Sequence, residues 1–264
     1  MTEDPFTLSV IQAGLENAAE EMFAVLRKTA MSPIIYEVLD VGTGVTDAKG
    51  RLVASGAGIP TFVGVLDKAV KAIVARFEDT MQDGDIFIVN DPNHGGVTHL
   101  NDIVIAKPLF FDGACVAFTA SIGHWGDIGG KVPGSMAAEA TEIFAEGLRL
   151  PPLRLFSAGV KNQAVFDIIA VNSRLPDFVK GDLWAQVAAS KSAERQIRTI
   201  YEKYGAKTVD IAIADAFKSG HARVLSGLKS LPNGTFEIEE KQDSGDTWRA
   251  KIRITDDVFE VDLR

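Results

Sequence analysis

Asp85-Ile86-Phe87-Ile88-Val89-Asn90, Ile103-Val104-Ile105-Ala106 and Ala114-Cys115-Val116-Ala117-Phe118-Thr119-Ala120 decide how this chain folds. Each run is short, apolar at nearly every position and rich in β-branched residues, the pattern of strands covered on both faces. They define a central sheet. In and beside the two glycine-rich loops that join and follow these strands, 90–101 and 123–134, stand Asp91, His94, His99, Asp102, His124 and Asp127. The polar chemistry of the chain is concentrated there.

Working outward toward the N-terminus, Leu8, Ile11, Leu15, Ala18, Met22 and Leu26 recur every three or four residues, which predicts one long helix ending before Pro33. Val38, Val41, Val45 and Leu52-Val53 around the turn-forming Asp47-Ala48-Lys49-Gly50 predict a hairpin, and helical spacing returns over 64–77. Toward the C-terminus, 139–156 reads as a short helix running into an extended piece. The stretch 163–204 reads as helical with interruptions near Pro176 and Gly181, and 211–228 as a further amphipathic helix. Strict alternation then sets Phe236 and Ile238, Trp248, Ala250, Ile252 and Ile254, and Phe259, Val261 and Leu263 against polar neighbours, a half-buried antiparallel meander.

The expected fold class is therefore α+β: a mixed sheet flanked by helices, then a helical segment and a C-terminal meander. The expected divisions are 1–160 for the α/β region with the polar loops, 161–230 for the helices and 231–264 for the β region. Three strands are close to the minimum for a stable sheet. The meander thus reads as incomplete, either a fragment or a sheet whose open edge another chain completes.

Composition narrows the function. With 264 residues the chain can bury a core, and 27 Lys plus Arg against 36 Asp plus Glu give a net charge of -9. That balance argues against nucleic acid and anionic membranes as partners. The one cysteine, Cys115, allows neither an internal disulfide nor a CxxC site, and its apolar neighbours make it a core residue rather than a nucleophile. An acidic N-terminus without a signal pattern and the lack of any 18-residue apolar run lead to the expectation of a cytoplasmic, non-membrane protein.

His94, His99 and His124 fall within 31 residues. Imidazole and carboxylate together suit Zn, Mn or Fe. In His99-Leu100-Asn101-Asp102 a turn or strand start can aim a nitrogen and an oxygen at one point, with His124 arriving from the next loop. Two histidines and one carboxylate would leave positions open for catalysis. Spacing alone leaves metal binding and histidines satisfied by backbone hydrogen bonds equally open. His94, beside two glycines, is a candidate substrate-facing group or an exposed loop residue. On a helix Glu139, Glu142 and Glu146 would share one face, either solvated or catalytic. Gly42-Thr43-Gly44 lacks the rest of a dinucleotide fingerprint, no Walker A motif exists, and Ser135 is not in a nucleophile elbow.

Four motifs in order carry a resemblance. Asn90-Asp91-Pro92-Asn93-His94-Gly95-Gly96-Val97-Thr98-His99-Leu100-Asn101-Asp102, His124-Trp125-Gly126-Asp127-Ile128-Gly129-Gly130, Ala140-Thr141-Glu142-Ile143-Phe144-Ala145-Glu146-Gly147-Leu148-Arg149, and Asn172-Ser173-Arg174 through Gly181-Asp182-Leu183-Trp184-Ala185-Gln186 resemble the hydantoinase B/oxoprolinase family. The resemblance implies a B-type subunit that acts with an A-type, ATP-binding partner. The partner phosphorylates the oxygen of a cyclic amide or an enolised ketone, and the B subunit completes ring opening or carboxylation. It further implies a divalent metal, Zn or Mn, on His99, Asp102 and His124.

Asp91 or Asp127 would then orient a ligand imidazole, and Glu142, Glu146 or His94 would assist acid/base chemistry. Two departures limit the transfer: a histidine common in the family is absent from Ile59-Pro60-Thr61-Phe62-Val63-Gly64, and family B chains are typically about twice as long. A stand-alone Fe(II) oxygenase and a non-catalytic assembly subunit are the rival readings.

Overall fold

The computed structural model describes residues 4–263. Residues 1–3 of the acidic start of the chain and Arg264, the last residue of the alternating pattern, lie outside the described residues. The chain forms two compact units, Met1–Ile213 and Ala214–Arg264, so the helical stretch 161–230 is shared between them.

The first unit is built on a seven-stranded sheet of order β2-β1-β5-β4-β3-β6-β7. Its strands are β1 (Val41–Asp47), β2 (Leu52–Gly58), β3 (Ile86–Val89), β4 (Asp102–Phe111), β5 (Ala114–His124), β6 (Leu153–Ser157) and β7 (Val160–Lys161). The α+β class stands, but every pairing is antiparallel and the sheet is not mixed. Short hairpins account for the β1–β2, β4–β5 and β6–β7 pairs, since a parallel neighbour needs a crossover of a dozen residues or more. Between β4 and β5, Asp112 and Gly113 both take positive φ, 51° and 80°, as a two-residue hairpin turn requires. Between β1 and β2, the Asp47 carboxylate accepts from the amides of Lys49 and Arg51.

Among the described residues six helices lie wholly in this unit or begin in it: α1 (Pro5–Thr29), α2 (Pro33–Tyr36), α3 (Pro60–Phe77), α4 (Pro92–Gly95), a single turn in the first polar loop, α5 (Gln163–Asn172) and α6 (Pro176–Leu228). Helix α1 starts where Asp4 caps it and buries Ile11, Leu15, Ala18, Met22 and Leu26, the face read from sequence. On one side of the sheet Leu66, Ala69, Val70 and Ile73 of α3 pack against Phe87, Val104, Phe118 and Ile122. On the other side Thr43 donates to the Ala19 carbonyl of α1, Thr119 donates to the Ser190 carbonyl of α6, and Gln186 of α6 donates to the Ile103 carbonyl. The inner strands are thus covered on both faces, as their apolar runs require.

Two helical expectations change. Pro176 does mark a helix start, but Gly181 lies inside α6, where a side chain would collide with Met31; the backbone leaves helical geometry at Gly205 instead (φ 75°, ψ 152°). Residues 139–146 form no helix that could align three glutamates. Only a 3-10 turn, Ile143–Ala145, is present, and Glu142 before it is extended.

The second unit contains a three-stranded sheet of order β10-β9-β8, with β8 (Gly234–Lys241), β9 (Thr247–Ile254) and β10 (Phe259–Leu263). The register sets Phe236 opposite Ile252 and Ile252 opposite Val261, so the apolar residues share one face. On the other face Arg249 pairs with Glu239, Lys251 with Glu237 and Arg253 with Glu260.

Candidate metal centre

Strand pairing brings the centre together. Asp102 opens β4 and His124 closes β5, and the two are directly opposite in the antiparallel register. His124 is therefore the last residue of a strand rather than a loop residue. The chain just before β1 adds a third neighbour, since the His124 amide donates to the Asp40 carbonyl at 3.1 Å. His99 reaches the same point because 99–102 is a turn, closed by a 3.1 Å hydrogen bond from the Asp102 amide to the His99 carbonyl.

The side chains converge on one oxygen. Asp102 Oδ1 is 3.2 Å from His99 Nε2 and 3.3 Å from His124 Nδ1, and one ligand atom from each of the three residues lies within 4.8 Å of the others. Oδ2 accepts from the Thr98 hydroxyl. Oδ1, on a side chain 1% exposed, is buried yet has no hydrogen bond of acceptable geometry. An orphaned buried carboxylate oxygen is costly, and the cost disappears when a cation stands among the donors. Donors about 2.1 Å from a tetrahedrally held ion are separated by about 3.4 Å, close to both observed spacings. The residues present fit a divalent metal.

Electrostatics favour the same arrangement. Burial pushes the Asp102 carboxyl up, but the imidazoles of His124 and His99 and the Thr98 hydroxyl outweigh it and hold its pKa at about 2. Asp102 in turn raises the pKa of His99 against the opposing effect of burial, with smaller contributions from Asp40 and Glu146. Asp40 Oδ2 is 3.7 Å from His124 Nδ1, and burial, reinforced by the charge of Asp102, raises its pKa despite the histidines. Asp40 is the group the sequence reading missed. It precedes a strand in no recognisable motif, and only the β1–β5 pairing brings it to the centre.

The other expected residues divide. Glu146 lines a cavity of about 200 Å³ beside His99, together with Ser135 and Met136. Glu142 is exposed and lines neither this cavity nor the one described below. His94 is bound to Asp91, at 3.2 Å, and stands outside the His99–Asp102–His124 cluster.

Asp91 and Asp127 touch neither ligand imidazole. Asp91 accepts from the amides of Asn93 and His94 and pairs with Arg149. Asp127 accepts from the amides of Gly129, Gly134 and Arg174 and from the Arg174 guanidinium. Both are loop anchors, and in each case these donors overcome the upward push of burial to lower the pKa. The glycine-rich segments supply many free amides, so a buried carboxylate among them serves as a hub.

Three buried amides complete the frame. Asn90 donates to the carbonyls of Leu100 and Leu148, and Asn101 donates to the Trp125 carbonyl. Gln186 accepts from the Trp125 indole while donating to Ile103. These residues tie the loops carrying His99 and Trp125 to the sheet and to α6.

The molecule is thus an α+β protein that gathers two imidazoles and a buried carboxylate at one end of an antiparallel sheet. The hydantoinase B/oxoprolinase family model matches residues 4–264, and the chain belongs to that family. It is 33% identical over 235 residues to the caprolactamase subunit beta of Pseudomonas jessenii, covering 89% of this chain and 40% of that one. The structure of the ATP-dependent caprolactamase from Pseudomonas jessenii matches with a TM-score of 0.92 at 31% identity, over 100% of this chain and 46% of that chain. An acetone carboxylase structure shares the fold, with a TM-score of 0.90 at 18% identity over 99% of this chain and 37% of that one. The chain spans less than half the length of these relatives. Among the described residues no helix is long and apolar enough to cross a membrane.

Proposed function

We propose that this chain is the metal-bearing part of a B-type subunit of an ATP-dependent hydrolase of cyclic amides, of the hydantoin, oxoproline or lactam type. An A-type partner would use ATP to phosphorylate the amide oxygen, in a cytoplasmic setting. The observation that carries the reading is the convergence of His99, Asp102 and His124 on a buried carboxylate oxygen without a hydrogen bond. Identity to a caprolactamase subunit supports the substrate class.

His99, Asp102 and His124 would hold the metal, Zn or Mn, with Asp40 beside them. A bound divalent ion supplies Lewis acidity and a water of lowered pKa. Thr98 fixes the Asp102 carboxylate by its hydroxyl. Glu146, in the cavity beside His99, would move a proton at the reacting centre. The 135–138 segment and Glu146 line the cavity beside His99, where an activated intermediate would sit on this reading.

The test is the complex co-purified with its ATP-binding partner and assayed on a panel of cyclic amides and ketones with labelled bicarbonate. Substrate-stimulated ATP use with ring opening, no label uptake and one metal per chain that is lost in His124→Ala is expected. Label in an acid-stable product would make the chain a ketone carboxylase subunit. A metal-free, inactive complex would make it an assembly subunit.

A further inference from the structure

A second cavity, of about 690 Å³, is separated from the His99 side by the segment 144–149: Phe144, Gly147 and Arg149 line this cavity, whereas Glu146 lines the other. Its volume is that of a small-molecule site. Its polar walls are Arg76, Asp91, His94, Arg149 and Asn172.

The single carboxylate among the lining residues is already engaged. Asp91 is 3% exposed at its side chain, and its Oδ1 accepts from the Asn93 and His94 amides at 2.8 and 3.2 Å. Its Oδ2 takes Arg149 Nε and Nη2 at 3.0 and 2.8 Å and lies 3.2 Å from His94 Nδ1. This use of Arg149 leaves Nη1 outside the pair. The guanidinium carbon also stands over the Phe144 ring, 5.2 Å from its centroid. Arg76 adds a second guanidinium, and the His94 ring is 63% exposed at the cavity wall. A buried carboxylate thus holds two nitrogenous side chains in place around an open space whose remaining charge is positive.

We propose that this cavity is an oxyanion-binding site, in which Arg149, aided by Arg76 and His94, holds the carboxylate or phosphate group of a small organic ligand. With its Nε–Nη2 edge on Asp91, Arg149 keeps the Nη1–Nη2 edge, a second pair of N–H donors of the kind that binds such anions in a fixed orientation. The site stands on this geometry alone. The ligand's identity rests on the reading above, under which ring opening yields a carboxylate and discharges a phosphate, so both candidate groups arise beside it.

The test is calorimetric titration of the purified protein with inorganic phosphate and, separately, acetate, in a chloride background, with metal content measured on the same samples. Saturable binding of either anion is expected, weakened about tenfold or more by Arg149→Lys, which keeps the charge but loses the fork, with metal content unchanged. A smaller loss is expected for Arg76→Ala, which lies outside the Asp91 contacts and carries the test if Arg149→Lys fails to fold. Preference for phosphate assigns the phosphoryl group as ligand, and preference for acetate the carboxylate. Equal binding by wild type and both variants, or no saturable binding of either anion, would overturn the site. Anion binding without metal would leave the site standing while the hydrolase reading failed.

Discussion

In the seven-stranded sheet Phe118 and Ile122 are 0% exposed, whereas in the three-stranded sheet Phe236 and Trp248 are 47% and 67% exposed. The first pair lies in a run that is apolar on both faces of its strand, the second in two strands that alternate strictly between apolar and polar residues. The difference shows what alternation encodes: it names the face of a strand that favours burial and leaves open which element covers it. In the first unit α1, α3 and α6 cover the sheet, and burial there makes hydrogen bonding and charge pairing stringent. In the second, cross-strand ion pairs on the polar face are solvent-screened and contribute little.

The comparison can be broken or sharpened by experiment. The largest effect belongs to the buried sheet end: Asp102→Asn preserves shape but removes the charge the imidazoles face, and metal affinity should fall by about 100-fold or more. Elemental analysis after dialysis against a weak chelator checks it, and retention of full metal content would remove Asp102 from the centre.

Next comes Gln186→Leu, which strands the Trp125 indole and the Ile103 carbonyl in the core and should cost roughly 2 kcal/mol in urea unfolding. An unchanged midpoint would mean that these groups find water instead.

The metal affinity should also depend on pH. The raised pKa of His99 means that its proton competes with metal above the ordinary histidine value. Affinity should climb about tenfold per pH unit below that pKa and level off above it. Titration of the metal between pH 5.5 and 8.5, roughly spanning the histidine range, reads this, and a flat profile would exclude His99 as a ligand.

The smallest effect is expected at Trp248→Thr in the exposed sheet, a change within about 0.5 kcal/mol in thermal unfolding. A loss of about 2 kcal/mol or more would mean that the apolar face is covered in solution, and sedimentation would then reveal the covering chain.

How much of this was legible follows from the distance over which each signal acts. The strands β3, β4 and β5, the face of α1, the meander and the His99–Asp102 turn all depend on neighbours a few residues away, and the sequence reading located them. Asp40 lies 62 positions before Asp102, and nothing local marks it. The expected helix under Glu139, Glu142 and Glu146 failed because tertiary contacts claimed the backbone: Lys131 donates to the Ala145 carbonyl, and Leu148 donates to Ile128. Asp91 and Asp127, expected to orient a ligand imidazole, instead have their oxygens engaged by loop amides and arginines. The antiparallel order of the sheet joins short hairpins to long-range pairs such as β1–β5 and β3–β6, neither of which the apolar runs themselves specify.

The opposition of Asp102 and His124 across β4 and β5 has one more consequence. A slip of a single residue between these strands would turn one of the two side chains to the far face of the sheet. The donor set would then no longer exist. On the metal-bearing reading, loading would therefore report register as well as chemistry: a chain whose central hairpin had zipped out of step would lack the donor set and would not load.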